Sequence, residues 1–117
     1  MSYDATNIFA RILRKEIPSD IIYENDCALA FHDIARQAPV HVLIISKYPA
    51  SSYNDFVLSA PDADITAFFK AVQHIASLLG VVDAGYRLIT NHGAHASQTV
   101  AHFHVHLLAG KMLGGLL

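Results

Sequence analysis

Three histidines at alternate positions constrain this chain more than any other feature. His102, His104 and His106 lie within an otherwise apolar run between Ser97 and Gly110. Alternation of this kind predicts a β-strand, with the three imidazoles on one face and apolar side chains on the other. Alternate side chains of a strand are about 6 to 7 Å apart, so two of the rings can contact one small ligand. The stretch therefore predicts a strand with one face in the core and one face at a site.

Three interpretations of this histidine face are open from the pattern alone. The rings can be solvated polar positions, a three-imidazole metal site, or a catalytic array. Strict alternation of three histidines favours the catalytic array, and we expect neither a bound metal nor a cofactor.

The rest of the chain predicts a sheet of short strands and one long amphipathic helix. In chain order we expect a short helix from about Ile8 to Lys15, a hairpin of Ile21–Tyr23 with Cys27–His32, a strand at Val40–Ser46, a loop at Lys47–Ser59, a helix at about 60–79, and a strand at Tyr86–Asn91 before the histidine strand. The fold class is α+β, a five-stranded antiparallel sheet with one long and one short helix, in one domain spanning 1–117.

The start and the buried face of the long helix follow from local signals. The tetrapeptide Ser59–Ala60–Pro61–Asp62 resembles a capping box with proline in the first turn. The predicted apolar face consists of Ile65, Phe68, Phe69, Val72, Ala76 and Leu79.

Composition limits the partners of the chain. It is 53% hydrophobic and only 15% charged, which favours an interface between subunits, and we expect a homodimer. The net charge of −2, without a basic cluster, argues against a polymeric nucleic acid. A single cysteine, Cys27, allows no internal disulfide, and no apolar run has membrane-spanning length, so we expect a cytoplasmic protein without a membrane partner.

Other residues are candidates for a nucleoside phosphate. Phe31 and Asp33 share a strand face, which would suit a base and the hydroxyls of a ribose. The loop that precedes the histidines can meet phosphate oxygens or be an ordinary hairpin loop; its polar side chains are Asn91, Ser97, Gln98 and Thr99. A lone histidine such as His41, within an apolar strand, is typical of a satisfied core group.

The sequence resembles the histidine triad nucleotide-binding family. The family signature His–φ–His–φ–His–φ–φ, with φ hydrophobic, is matched by residues 102–108, His-Phe-His-Val-His-Leu-Leu. The amino-terminal half resembles the Hint branch of this family in Asn7–Ile8–Phe9, Ile17–Pro18–Ser19, Leu29–Ile34, Gln37–Pro39 and His41. The resemblance covers nearly the whole chain.

This resemblance implies a role for each site residue. His104 would be the nucleophile, and His41 would be the fourth, upstream histidine of the site. From imidazole chemistry we expect His106 or Thr99 to protonate the leaving amine, and His102 and His41 to orient their neighbours through ring hydrogen bonds. Asp33 would bind the ribose hydroxyls. The base would be enclosed by Phe9, Ile12, Phe31 and Ile34, and the phosphate would be held by Asn91, Thr99 and His106. His92 and His95 depart from the family pattern.

The implied ligands are purine nucleoside monophosphates and their phosphoramidates. The implied reaction is hydrolysis of the P–N bond through a nucleotidyl-histidine intermediate, which releases a nucleoside 5′-monophosphate. Two alternatives remain at this point: a metal-binding enzyme that uses the three histidines as ligands, and a nucleotide-binding interaction module.

Overall fold

The computed structural model describes residues 2–117, in which a 3-10 helix at Ala94–Ala96 accompanies three α-helices and five strands. Labelled in chain order, the α-helices and strands are α1 (Ile8–Leu13), β1 (Ile21–Glu24), β2 (Ala28–His32), β3 (Val40–Ser46), α2 (Tyr53–Ser59), α3 (Asp62–Leu78), β4 (Arg87–Ile89) and β5 (His104–Ala109). Within this range no helix is both long and apolar enough to cross a bilayer.

The five strands form one antiparallel sheet in the order β1-β2-β3-β5-β4. The predicted α+β class is confirmed. Strand β3 is central and pairs with β2 on one side and β5 on the other. In the β3–β5 register Leu43 lies opposite His106 and Ile45 lies opposite His104.

Period-2 alternation divides the buried side chains between the two faces of the sheet. On one face Val42, Ile44, Val105 and Leu107 pack in a cluster with the buried side of α3. On the other face Leu29, Phe31, Leu43 and Ile45 pack against Phe9 and Ile12 of α1. Because His104 and His106 alternate with Val105 and Leu107, the two histidines are on the α1 side.

The predicted loop at Lys47–Ser59 is wrong, because its second half is helix α2. Ser52 is the N-cap, and its hydroxyl accepts a hydrogen bond from the Asp55 backbone N–H at 3.5 Å. Phe56 anchors the helix in the core. The fold therefore has two short helices rather than one.

The predicted capping box at Ser59–Asp62 is also wrong. Ser59 ends α2, and α3 begins after Pro61, which makes no side-chain capping hydrogen bond. Pro61 has an extended ψ of 147°, so the chain changes direction here between two helices.

The apolar face of α3 is rotated from the prediction. The buried residues are Phe68, Ala71, Val72, Ile75 and Ala76, whereas Phe69 is 38% exposed. Phe68 faces the core and packs against the rings of Phe56 and Phe103, whereas Phe69 lies at the edge of the buried face.

Further element boundaries differ from the prediction: β1 extends to Glu24 and β2 begins at Ala28. Helix α1 ends at Leu13 rather than Lys15, which takes a left-handed φ of 63°. Strand β4 spans only Arg87–Ile89. Strand β5 begins at His104, so His102 precedes the strand.

The two adjacent phenylalanines of α3 give a matched test of this packing. Phe68→Ala should lower the free energy of unfolding by about 3–5 kcal/mol, because it opens a cavity among buried rings. Phe69→Ala should lower the free energy of unfolding by less than half of this amount. Urea denaturation of both variants measures the difference, and equal losses would contradict the observed helix orientation.

Candidate active site

A cleft of about 350 Å³ lies on the α1 side of the sheet. This volume suits a small organic ligand. All nine residues predicted to bind a nucleotide line the cleft: Phe9, Ile12, Phe31, Asp33, Ile34, Asn91, Thr99, His104 and His106. His41 and His102 lie behind this lining.

His104 is held as a neutral imidazole with one free nitrogen. Its Nδ1–H donates to the backbone carbonyl of His102 at 2.7 Å, which leaves the electron pair of Nε2 unshared. The ring is buried and contacts the edge of Phe9 at a centroid distance of 4.9 Å. Burial lowers the pKa of His104, against a smaller opposing effect of its hydrogen bond to His102. A neutral ring with a free Nε2 is a nucleophile at pH 7.

His106 presents the opposite group, an N–H, to the cleft. The backbone N–H of Gln37 donates to Nδ1 of His41 at 3.0 Å, so the proton of His41 is on Nε2. That Nε2–H donates to Nδ1 of His106 at 2.9 Å. The proton of neutral His106 is therefore on Nε2. Burial and then the neighbouring imidazoles of His104 and His41 lower the pKa of His106 to about 4.

His102 differs from its predicted role. Its side chain is 0% exposed, its Nε2–H donates to the carbonyl of Ser46 at 2.7 Å, and its Nδ1 accepts from Tyr3 at 3.0 Å and from Asn7 at 3.3 Å. It orients His104 through its backbone carbonyl, not through its ring. Burial lowers the pKa of His102 to about 4.

The apolar and acidic side chains that were predicted to bind a nucleoside lie along the cleft. Phe9 and Phe31 meet edge to face at 5.9 Å and form a wall suited to a flat ring. Asp33 follows β2 and lines the cleft. Ile34 is fully exposed at the rim, so it can cover a ligand only from one side.

The loop before β5 is fixed by its own side chains. Gln98 accepts from the Gly93 N–H at 2.9 Å and donates to the carbonyls of Ser51 at 2.7 Å and Val100 at 3.0 Å. His92 shares a 2.7 Å hydrogen bond with Ser52. These contacts fix the loop that brings Asn91 and Thr99 to the cleft. The amide of Gln98 therefore stabilises the loop.

Three partners of the site histidines were absent from the sequence prediction. Tyr3 and Asn7 hold His102, and the backbone N–H of Gln37 sets the tautomer of His41. The local pattern of residues cannot predict the contacts of Tyr3 and Asn7 with His102, because these residues are 99 and 95 positions away in the sequence.

The arrangement of nitrogens does not suit a metal ion. Within residues 2–117, the group with converging potential ligand atoms is Asp33, His41 and His106, within 4.8 Å of one another. A metal on Nε2 of His41 would move the proton to Nδ1, where it would face the Gln37 N–H. Both nitrogens of His102 are already hydrogen-bonded, so the three-imidazole metal site is not formed.

The buried neutral histidines predict a loss of stability on mild acidification. The pKa of His102 and of His106 is about 4 in the fold, against about 6.5 in the unfolded chain, so the unfolded chain takes up protons first as the pH falls. Between pH 6.5 and 5 the free energy of unfolding should decrease by up to about 1.4 kcal/mol per pH unit for each.

Urea titrations at several pH values measure this slope. His95→Gln, which removes an exposed histidine, is the control variant. A free energy of unfolding that is constant from pH 6.5 to 5 would contradict the buried neutral state.

Known proteins are similar to this chain along almost its whole length. The family model described as the HIT domain matches residues 14–113. A 13.2 kDa HIT-like protein from Azospirillum brasilense is 45% identical over 116 residues, covering 99% of this chain and 95% of that protein. The purine nucleoside phosphoramidase of Escherichia coli K12 is 43% identical over 110 residues, covering 94% and 92%.

Solved structures are similar along almost the whole chain. A HIT family hydrolase from Clostridium thermocellum superposes with a TM-score of 0.82 at 40% identity, covering 96% of this chain and 97% of that one. A histidine triad protein from Clostridium difficile gives a TM-score of 0.86 at 34% identity, covering 99% and 100%.

Proposed function

The chain belongs to the HIT family, and from this premise we propose that it is a purine nucleoside phosphoramidase. It would hydrolyse the P–N bond of a purine nucleoside phosphoramidate to an amine and a nucleoside 5′-monophosphate. The observation that carries the proposal is the pairing of two neutral imidazoles of opposite character. His104 has a free Nε2, and His106, with its ring centre 5.2 Å away, carries a proton on Nε2.

The lining of the cleft supports this class of substrate. Phe9, Ile12 and Phe31 would enclose the base, and Asp33 would accept hydrogen bonds from the ribose hydroxyls. Asn91, Thr99 and His106 would donate to the phosphate oxygens. Among the described residues that line the cleft none is lysine or arginine, which fits one phosphate rather than a polyphosphate.

In the first step Nε2 of His104 attacks phosphorus. The new N–P bond uses the free electron pair, the P–N bond to the amine breaks, and the leaving nitrogen takes the bonding pair together with one proton. The His106 Nε2–H or the Thr99 hydroxyl would deliver this proton, directly or through water. The phosphorylated ring becomes an imidazolium, and its Nδ1–H remains on the carbonyl of His102.

In the second step water attacks phosphorus and regenerates His104. The P–Nε2 bond breaks, its electron pair returns to Nε2, and the nucleoside monophosphate leaves. Water releases one proton, which replaces the proton given to the amine in the first step. Atoms and charges balance over the two steps without a cofactor.

The roles of the two histidines predict unequal losses on mutation. His104→Ala should lower kcat for adenosine 5′-phosphoramidate at least about 10³-fold, because it removes the nucleophile, while AMP affinity changes only a few-fold. His106→Ala should lower kcat about 10- to 100-fold. Steady-state kinetics and calorimetry measure both effects, with the exposed His95→Ala as control.

Treatment with EDTA should leave the wild-type rate unchanged. Activity that is lost with EDTA and restored by zinc would favour a metal-binding enzyme. Near wild-type turnover by His104→Ala would refute the nucleophile assignment, and AMP binding without any turnover by the wild type would favour an interaction module.

We also propose that the protein is a homodimer, acting in the cytoplasm. Apolar side chains are exposed on the α3 side of the sheet, where Phe69 and Leu88 lie, and along the tail after Gly110. The side chain of Arg87 donates to the Gly114 carbonyl at 2.8 Å, so the tail lies beside the edge strand β4. Such apolar surface is typical of subunit interfaces.

Sedimentation at micromolar concentration tests the association. We expect twice the 12.8 kDa mass of the chain. A single species with the mass of one chain would refute the dimer.

A further inference from the structure

The two carboxylate oxygens of Asp33 have different surroundings. Oδ1 accepts a hydrogen bond from the Ala35 N–H at 2.8 Å. Oδ2 lies 3.4 Å from Nε2 of His41. The backbone N–H of Asp33 also donates to the His41 carbonyl at 2.9 Å. The carboxylate is thus fixed beside the same N–H that sets the tautomer of His106.

His41 has no alternative orientation that keeps these contacts. A half-turn of the ring would place carbon atoms where Nδ1 meets Gln37 and where Nε2 meets His106. The negative charge of Asp33 beside Nε2–H favours the observed orientation over the turned one. The side chain of His41 is only 4% exposed, so water does not screen this interaction effectively.

The tautomer of His106 matters because only one form can donate to a phosphate. If His41 did not give its Nε2–H to Nδ1 of His106, the proton of His106 could move to Nδ1. Nε2 would then present an electron pair to the phosphoryl oxygens, which repels them.

We infer that Asp33 has a second role besides ribose binding: it is a positioning residue that, through His41, keeps the N–H of His106 directed at the phosphoryl group. This inference rests on the proposed function and deepens it. Ribose recognition and phosphoryl chemistry then share one carboxylate. The substrate class is a nucleotide whose ribose hydroxyls would be bound by this carboxylate.

A substrate without ribose hydroxyls separates the two roles. If Asp33 only binds ribose, Asp33→Ala should not affect turnover of 2′,3′-dideoxyadenosine 5′-phosphoramidate. If Asp33 also positions His41, kcat should fall on this substrate as well. We expect a loss in kcat of about tenfold on both the ribose and the dideoxy substrate. KM should rise on the ribose substrate alone.

A double variant localises the effect to His41. In a His41→Gln background, Asp33→Ala should cause no further loss of kcat on the dideoxy substrate, because both changes interrupt the same path. Asp26→Ala, which removes an exposed acidic side chain from the β1–β2 turn, is the matched control and should behave as wild type.

Nitrogen-15 NMR of the histidine rings gives a readout that needs no substrate. In the free wild-type protein and in Asp26→Ala, His106 should show a protonated Nε2 and an unprotonated Nδ1. In Asp33→Ala the two nitrogen shifts should move towards each other, as a mixture of tautomers requires.

Two results would overturn the inference. One is an unchanged His106 tautomer in Asp33→Ala. The other is a wild-type kcat of Asp33→Ala on the dideoxy substrate. If the wild type turns over neither substrate, the proposed function fails, and the NMR result alone then decides whether Asp33 positions His41.

Discussion

The antiparallel pairing of β3 with β5 is the interaction on which the site depends. It places His104 opposite Ile45 and His106 opposite Leu43, while His41 lies at the start of the same β3 strand. The pleat then directs His104 and His106 to the face covered by α1. A shift of one residue in this register would send both rings into the α3 core, where a polar ring has no partner.

Burial of these imidazoles determines their chemistry. The pKa values of His102 and His106 fall to about 4, and burial also lowers those of His41 and His104. Each ring is therefore neutral near pH 7, and hydrogen bonds decide which nitrogen carries the proton. Because burial keeps these imidazoles neutral, His104 can act as a nucleophile, but the site contains no imidazolium that could act as an acid. The proton for the leaving amine must then come from a neutral donor or from water.

Much of this site follows from periodicity. Alternation in residues 102–108 was enough to predict the face shared by His104 and His106, and alternation in β2 was enough to bring Phe31 and Asp33 together. The prediction that the ring of His102 shares this face was wrong, because the predicted strand was too long. The Phe103 N–H donates to the Ala50 carbonyl at 2.8 Å instead of to a β-ladder partner, so the strand begins only at His104. Nothing local in the sequence reports that contact.

Other predictions were wrong because the sequence pattern allowed more than one assignment. The start of α2 is encoded by Ser52 and Asp55, but the polar composition and Pro49 favoured a loop. Phe69 fits a helical apolar stripe as well as Ile75 does, and only the sheet decides which is buried. His41 was the hardest to assign from the residues alone, because its importance lies in a contact with His106, 65 positions away.

The proposed mechanism requires that the Nε2 atom of His104 becomes covalently bonded to the phosphorus of the substrate. The most direct measurement mixes wild-type protein with adenosine 5′-phosphoramidate, quenches within milliseconds at alkaline pH, where a phosphohistidine survives, and maps the modified peptide by mass spectrometry. We expect one adenylyl group on His104, formed and lost at rates that match turnover. An adduct on another residue, or AMP formed at the full rate with no adduct at any time, would refute the covalent mechanism.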